Sequence, residues 1–358
     1  MRSSILLIAL LFILNSTGLC FGYYDSINEG TPIPGLSPTA VALGSPKALS
    51  PIEPACVFTN PALTAWAGGT VQAAYSAITW TERVIESDID KTVRTLTTLD
   101  NFSGAAVWPV GPVTLGAGYA KVAEFGYEGT HTVYDDPEDP EVGVEILYAD
   151  GGQHEAMGSA SMVLAGVLSA GFSGGMRTAS ADYEYFFNSH RYSIPDSSAV
   201  WSFDESEFAW HAGLALNGDL FKSGLSYSSG TEYMEESVSI GFSAYAEHLK
   251  KITVGFEGEL ISPFDSNRFL GKLSIIMPLT KNLNALTSAS FDDQRVANRA
   301  GFGFGLGFSG RIGRFNLGGG ILNRFRARTD TAFPDEEADR VDDSATQFTI
   351  GLSYSFSG

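Results

Sequence analysis

Apolar and small polar residues alternate along most of the chain, and the last segment shows this pattern most clearly. From Gln347 to Phe356, one face carries only large apolar or aromatic residues, and the other carries glutamine, threonine, glycine and serine. A strand needs this period of two when lipid lies outside it and a lumen lies inside. The final strand of a soluble sandwich would also alternate, but it would not require aromatic residues on its outward face. The pattern therefore favours a transmembrane β-barrel.

Similar alternation after Thr70 predicts fourteen strands, joined in rotation by short turns and longer polar connections. In residues 301–308, phenylalanine and leucine alternate with glycine, and in residues 252–260 apolar residues alternate mainly with threonine, glycine and glutamate. Most of the strands are close to the roughly 9 to 11 residues that a tilted spanning strand requires. The sequence thus predicts an all-β fold, a transmembrane antiparallel β-barrel of about 14 strands. The predicted strands are residues 71–80, 102–108, 113–122, 156–165, 170–178, 208–216, 220–228, 238–246, 252–260, 269–277, 285–291, 302–308, 315–322 and 347–356.

The first 22 residues have the pattern of a secretory signal. Residues 1–2 supply a positive charge, residues 5–14 form an apolar run, and residues 20–22 place small residues where cleavage after Gly22 requires them. No later stretch of about 18 apolar residues recurs, and only helices and closed barrels satisfy their backbone in lipid. The chain is therefore expected to be exported and to reside in the bacterial outer membrane.

Composition and charge narrow the possible partners. The chain has 40 glycines and 24 phenylalanines, and its mean hydropathy of +0.04 is near zero, as alternation produces. A formal net charge of −19 argues against nucleic acid or an anionic surface as a partner. Only Cys56 would remain after signal cleavage, so no internal disulfide is possible. The acidic stretches 135–141 and 335–343 are expected to be solvated loops outside the cell rather than cation sites.

Residues 23–69 differ from everything that follows. Seven prolines fall between Pro32 and Pro61, and this density excludes central strands. The segment is also too rich in alanine, valine, leucine and isoleucine to be an obvious disordered tail. We therefore predict a signal peptide at residues 1–22, a compact N-terminal plug at residues 23–69 inside or beneath the barrel, and the barrel itself at residues 70–358.

Two strings in the predicted plug carry a resemblance to a known family. Residues 37–44 form a run that ends in glycine, and residues 57–63 form a hydrophobic-aromatic string that contains Asn60, Pro61 and Ala62. Together they resemble the plug of the long-chain fatty acid outer-membrane transporter (FadL) family, in which Gly-Leu usually follows where this chain has Leu-Thr. That family's architecture is a fourteen-stranded barrel with an N-terminal plug, so the resemblance spans the whole mature chain.

The resemblance implies passive and selective uptake of hydrophobic compounds, such as long-chain fatty acids or aromatic hydrocarbons. The partner would be a hydrophobic small-molecule ligand, with no cofactor and no energy source. The same superfamily includes PorV-like barrels that act in type IX protein secretion or attachment, and such a barrel is the alternative function. A general porin is the third hypothesis, which a closed plug would exclude.

Asn60 has a particular role in the predicted plug. Because it precedes a proline, its backbone is expected to be extended or in a turn, and its side chain can bond backbone that Pro61 cannot serve. Together with the small Ala62, this gives a compact bend that fits against glycine-rich strands. The alternative is that Asn60 and Pro61 simply end a loop before the first strand.

The end of the chain resembles an assembly signal. The pattern Thr349-x-Gly351-x-x-Tyr354-x-Phe356 is similar to the C-terminal signal by which outer-membrane barrels are recognised for insertion, although two further residues follow where an aromatic residue often ends the chain. This resemblance implies that the barrel-assembly machinery and outer-membrane lipids are partners.

Motifs of enzymes and cofactor sites fail on their context. Residues 171–175 match a nucleophile-elbow string and residues 305–310 match a dinucleotide-binding string, but both lie in predicted strands with no helix after them. The five histidines lack metal-ligand spacing, so surface or turn positions are expected for them. No Ser, His and acid set suggests a lipase. We therefore predict that the protein is not an enzyme and binds neither a metal nor a cofactor.

Overall fold

A computed structural model describes the chain as a short N-terminal segment followed almost entirely by strands. The predicted signal peptide and the acidic residues 135–141 and 335–337 lie outside the described residues. The described residues are 31–86, 89–133, 142–190, 195–231, 234–246, 252–263, 268–294, 299–330 and 339–356.

The N-terminal segment consists of short elements: strand β1 (Thr31–Pro32), helix α1 (Pro38–Ala42) and two 3-10 helices, Pro54–Phe58 and Pro61–Trp66. Each helical turn starts with a proline, whose missing N–H has no intrahelical partner at that position anyway. None of the helices in the described stretches is long and apolar enough to cross a membrane.

One sheet of sixteen strands, which includes β1, forms most of the fold, and all neighbouring strands in it are antiparallel. Because β4 pairs with both β3 and β6, the sheet closes on itself. β1 belongs to the N-terminal segment and β5 prolongs β4, so fourteen strands form the closed wall, which confirms the predicted barrel. The strands after β1 are β2 (Thr70–Glu86), β3 (Ile89–Val110), β4 (Val113–Glu124), β5 (Tyr127–Val133), β6 (Gly143–Ala165), β7 (Leu168–Ser189), β8 (Ser197–Asn217), β9 (Phe221–Ser228), β10 (Ser237–Ala246), β11 (Ile252–Ile261), β12 (Arg268–Thr280), β13 (Leu283–Gln294), β14 (Arg299–Ile312), β15 (Phe315–Asp330) and β16 (Asp339–Ser355).

Several strands extend further than predicted, mainly on the side of the long connections. Residues 127–133 and 143–155, which the sequence placed in a long loop, form β5 and the first half of β6. Asp339, Asp342 and Asp343 were predicted in an outside loop but lie in β16, where Asp343 is buried. These predictions were wrong because strands that continue beyond the lipid need no apolar outward face, so hydrophobic alternation no longer marks them.

The outward face of the barrel is apolar at the predicted positions. Phe302, Phe304 and Leu306 are 54%, 58% and 64% exposed, and Ile350 on the last strand is half exposed while its neighbour Thr349 is buried. A continuous apolar outer surface on a closed sheet is what a bilayer requires. The molecule is therefore a membrane β-barrel.

The N-terminal segment lies inside this barrel. α1 packs against β14, β15 and β16, while the second 3-10 helix packs against β6, β7 and β8. Glycines in the wall permit the close approach: a Cβ atom on Gly213 would overlap the side chain of Asn60, and one on Gly171 would overlap the backbone of Pro61. Residues 31–69 thus occupy the lumen and reach opposite sides of the wall, and we call them the plug segment.

Candidate functional site: an occupied lumen beside a break in the wall

Asn60, Pro61 and Ala62 lie together against the inner wall. Asn60 is fully buried, and it starts the second 3-10 helix with an extended backbone. Its Oδ1 accepts the N–H of Ala62 at 3.2 Å, while its Nδ2 donates to the carbonyl of Ala48 at 3.0 Å and to that of Leu214 at 3.5 Å. One side chain therefore joins two parts of the plug segment to β8.

A buried charge cluster holds the loop that follows α1. The two oxygens of Glu257 accept the backbone N–H groups of Lys47 at 2.7 Å and Leu49 at 2.9 Å. Glu259 accepts from Lys272 at 2.7 Å, and the same lysine lies 3.4 Å from Glu257. Charges withdrawn from water are tolerated when they are paired and hydrogen-bonded in this way. The cluster anchors the plug segment to β11 and β12.

Replacing Glu257 with leucine should loosen this loop. The variant leaves the N–H groups of Lys47 and Leu49 without their acceptors, while Lys272 keeps Glu259. Since a hydrogen bond to a charged group contributes about 1.5–3 kcal/mol, hydrogen exchange at both amides should accelerate about tenfold or more. Glu257→Gln keeps an oxygen acceptor and should have a smaller effect. Unchanged exchange in Glu257→Leu, measured by mass spectrometry, would show that the carboxylate does not anchor the plug segment.

Glu53 links two parts of the plug segment to each other and to the wall. Its carboxyl accepts from the hydroxyl of Ser37, which caps α1, and from Nε2 of Gln72 on β2 at 3.0 Å. Burial raises the pKa of the Glu53 carboxyl to about 7, against the lowering effect of these two hydrogen bonds. The folded state therefore holds this proton more tightly than the unfolded chain. The stabilisation is complete below about pH 4.5 and is lost as the pH rises through 7.

The barrel wall is interrupted between β3 and β4. From their connecting turn, the two strands pair with each other as far as Ser103 and Ala120. Between that point and the long connections, no backbone pair joins them within the described ranges. Toward the long connections, β3 stays paired with β2. In contrast, β4 has a bulge between Lys121 and Ala123 and is interrupted at Phe125 before β5 begins. The two strands leave a break in the half of the wall nearer the long connections.

The plug segment occupies the edge of β4 that the break exposes. β1 pairs antiparallel with β4, so that Pro32 lies opposite Ala123. The N–H of Ile33 donates to the carbonyl of Val122 at 2.8 Å. A few residues of the plug segment thus pair with the edge of β4 that is paired with β3 nearer the short turns.

An ion pair is buried at the break. Nζ of Lys121 lies 2.6 Å from Oε2 of Glu124, and Oε1 of Glu124 accepts the N–H of Gly126 at 3.0 Å. Both side chains of the pair are buried. Because the carboxylate caps the backbone where β4 gives way to β5, the pair fixes the interruption of the strand.

Apolar clusters flank the break on the inside of the barrel. The first consists of Ile33, Ile78, Trp80 and Ala345, with Leu36 packed against it. The second cluster surrounds the interruption of β4 and consists of Phe125, Tyr127, Leu147, Ala149, Ala179, Ala181, Tyr183 and Val341.

A Ser, His and acid set forms in the lumen, although the sequence indicated none. Nδ1 of His211 lies 2.9 Å from Oγ of Ser228, and Nε2 lies 3.5 Å from Oε2 of Glu155. His211 is buried, so the expectation of a surface or turn position was wrong for it. Arg177 donates to the other oxygen of Glu155 and to Thr231 at 3.1 Å. Because Arg177 neutralises the carboxylate, we interpret the set as a structural tie between strands.

The four predicted assembly residues divide between the two faces of β16. Thr349 is buried, and Gly351 lies under Pro38 of the plug segment. Tyr354 and Phe356 belong to an outward aromatic group, with their ring centroids 5.2 Å apart. Only the second pair is placed where an external protein would meet it.

Replacing both Tyr354 and Phe356 with serine should sharply lower the amount of protein in the outer membrane while export continues. If these residues form the insertion signal, they act before the barrel folds. Immunoblots of membrane fractions measure the level, and a Phe302→Ser, Phe304→Ser double variant controls for the loss of two outward aromatic residues. Equal levels of the two variants would mean that the C-terminal pattern is strand alternation alone.

The charges at the break were not among the residues predicted from the sequence to be functional. Lys121 and Glu124 end a strand of mainly small and apolar residues, and their spacing of three does not fit a period of two. Two charges that violate the alternation of an otherwise regular strand mark a bulge. The sequence therefore contains a signal for the break.

The protein is similar to known proteins in structure, although its sequence matches none of them. No family model matches the sequence, and no curated protein does. The structure is similar to that of a FadL homologue from Pseudomonas aeruginosa, with a TM-score of 0.68 and 12% identity over 92% of this chain and 100% of that chain. The toluene transporter TodX of P. putida gives a TM-score of 0.67 and 11% identity, with coverages of 91% and 99%. The monoaromatic hydrocarbon channel CymD gives 0.58 and 12%, with coverages of 90% and 98%.

Proposed function

We propose that the protein is an outer-membrane β-barrel for the passive uptake of hydrophobic compounds, such as long-chain fatty acids or aromatic hydrocarbons. The observation that carries this proposal is the break between β3 and β4, which is flanked by apolar clusters and occupied by β1. A general porin needs an open lumen and has no use for an apolar opening in its wall.

The proposed route follows from the filled lumen. The plug segment denies polar solutes a water-filled path, whereas an apolar compound in the upper lumen is stabilised by burial. The compound leaves through the break into lipid, which is equally apolar, once the residues around Pro32 and Ile33 move aside. No covalent bond is made or broken on this route. We therefore propose a transporter without catalytic activity, cofactor or energy source.

Two solved structures with this fold support the proposal. TodX is a toluene transporter, and CymD is a monoaromatic hydrocarbon channel. The domain organisation that accompanies it is a signal at residues 1–22, a plug at 23–69 and a barrel at 70–358. Insertion by the barrel-assembly machinery would place the barrel among outer-membrane lipids.

Mass spectrometry of molecules retained after purification in a mild detergent tests this function. We expect the intact protein to retain a hydrophobic compound, and a variant with Ile78→Ser and Leu147→Ser, one change in each apolar cluster, to retain less of it. Lipids bound on the outer surface should be equal in both samples. Retention of a secreted protein without any hydrophobic compound would contradict the proposal and favour the PorV-like alternative.

A further inference from the structure

One edge of β8 is free on the side of the long connections. β8 pairs with β7 along nearly its whole length, from Ser197 onward, but it pairs with β9 only from His211 to Asn217. Beyond Trp210, no strand pairs with the β9 side of β8 within the part of the chain that the structure describes. We call the β9 side of residues 198–208 the open edge.

Every second residue of β8 directs its backbone groups to the open edge. The N–H of Ser229 donates to the carbonyl of Trp210 at 2.9 Å, so the backbone groups of Trp210 face the β9 side. Successive residues of a strand direct these groups to opposite edges, and the pairing of β8 with β7 has no bulge that would change the order. In the described ranges, the residues whose N–H and C=O groups face the open edge without a partner are Ser198, Val200, Ser202, Asp204, Ser206 and Phe208.

The connection between β9 and β10 leaves the open edge accessible. Thr231 in this connection accepts a hydrogen bond from Arg177 in the lumen at 3.1 Å, so the connection bends inward. Val200 and Phe208 are 75% and 63% exposed. Because a strand crosses the lipid in roughly 9 to 11 residues counted from the short turn, most of the open edge lies in water beyond the membrane.

An edge of this kind is a template for another extended chain. An added strand pairs with the free backbone groups, and the side chains along the edge decide which strands fit. Edges that resist such addition carry prolines, lysines or bulges, and residues 198–208 contain none of these.

A second copy of the protein cannot supply the added strand. Two barrels in one membrane are related by an axis along the membrane normal, and their strands tilt by roughly 40°, so two β8 strands would cross at about 80°. Backbone pairing requires strands that run nearly side by side. The occupant of the open edge is therefore a segment of a different molecule.

The sheet beside the open edge is acidic on its outward face. Asp204 on β8 is exposed there, and so are Asp182 and Glu184 on the neighbouring β7. Residues 179–189 and 197–208 contain no lysine or arginine that could neutralise them. A strand added to the open edge meets this negative charge, which attracts a cationic segment and repels an acidic one.

We infer that the open edge binds a cationic, extended segment of another protein or peptide by strand addition. The segment carries a basic residue opposite Asp204 and apolar residues opposite Val200 and Phe208, four positions to either side, because directly opposed side chains interact across a strand pair. This binding function is separate from uptake and does not rest on the proposed function.

Fluorescence polarisation of a labelled peptide with the purified full-length protein tests the inference. The peptide has nine residues and blocked ends, with arginine at its centre, valine at both ends and threonine elsewhere. Ser202→Pro should lower its affinity about tenfold or more, because proline removes a backbone donor of the open edge and its ring holds the added strand away. An edge strand tolerates this proline, and unchanged mobility on unboiled gels shows that the barrel has folded.

Charge reversal tests the predicted register. Asp204→Lys should bind the arginine peptide about fivefold less tightly, and it should bind a peptide with glutamate in place of arginine more tightly than the wild type does, as a cross-strand charge pair requires. Asp219→Lys makes the same change of charge at an exposed position in a short turn and should alter neither affinity.

Methylated peptides test the backbone pairing. Because the backbone groups of Asp204 face the added strand, the amide of the arginine and the amides two positions to either side face β8. N-methylation of these amides should abolish binding, and N-methylation of the alternate amides should not.

Equal affinities of the two methylated peptides, unchanged affinity in Ser202→Pro, or no binding of the arginine peptide by the wild type would overturn the inference. The uptake proposal is measured without any peptide, so it stands or fails independently of these results.

Discussion

Deletion of residues 23–67 should convert the protein from a poor ion conductor into an open pore. In the intact structure, α1 and the 3-10 helices contact strands on opposite sides of the barrel, and the buried Asn60 and Glu257 tie the segment to the wall. Without the segment, the inner face of a fourteen-stranded barrel is left with mostly small residues, and water and ions can fill it.

Single-channel recording in planar bilayers measures this difference. The shortened protein should give steady, large openings, whereas the intact protein stays near the bilayer baseline. Altered mobility on unboiled gels serves as the control, because it shows that the shortened barrel has folded. Equal conductance of the two forms would mean that the segment does not close the lumen, and the proposed exclusion of polar solutes would be contradicted.

Locking β1 to β4 with a disulfide should abolish uptake of hydrophobic compounds. Pro32 and Ala123 are directly opposite, and the N–H of Ile33 donates to Val122, so the pair is of the non-hydrogen-bonded kind with Cα atoms about 4.5 Å apart. A disulfide spans this distance. In a Pro32→Cys, Ala123→Cys protein that also carries Cys56→Ala, oxidation should stop uptake because the plug segment can no longer leave the break.

Reduction of this bridge should restore uptake in the same cells. A control bridge between Asn316 and Ser353, opposed residues in the closed part of the wall, should leave uptake unchanged in both redox states. Equal uptake by the oxidised and reduced Pro32–Ala123 bridge would show that the compound does not pass beneath β1.

The sequence predicts the membrane part of the fold well because lipid imposes a strict pattern. At Phe302, Phe304 and Leu306, lipid requires an apolar side chain at every second position. This alternation is sufficient to predict the strand. Where a strand rises beyond the lipid, as in the first half of β6 or at Asp343, that requirement ends and the prediction ends with it.

The site is less predictable because it is built from distant pairings. Lys47 and Glu257 are about 210 positions apart, and no local pattern indicates that one donates its backbone N–H to the other. The break between β3 and β4 is an absence of backbone pairing in the described ranges, and only the irregular spacing of Lys121 and Glu124 marks it in the sequence. Asn60 could be singled out because the proline after it constrains its backbone.

The proposed function can be tested by measuring uptake into cells of a Gram-negative host. Initial rates for radiolabelled oleate, toluene and a small sugar are compared between cells with the protein and cells with an empty vector, with outer-membrane levels verified by immunoblot. The proposed function predicts faster uptake of at least one hydrophobic compound and an unchanged rate for the sugar. Faster entry of the sugar with unchanged rates for both oleate and toluene would contradict it.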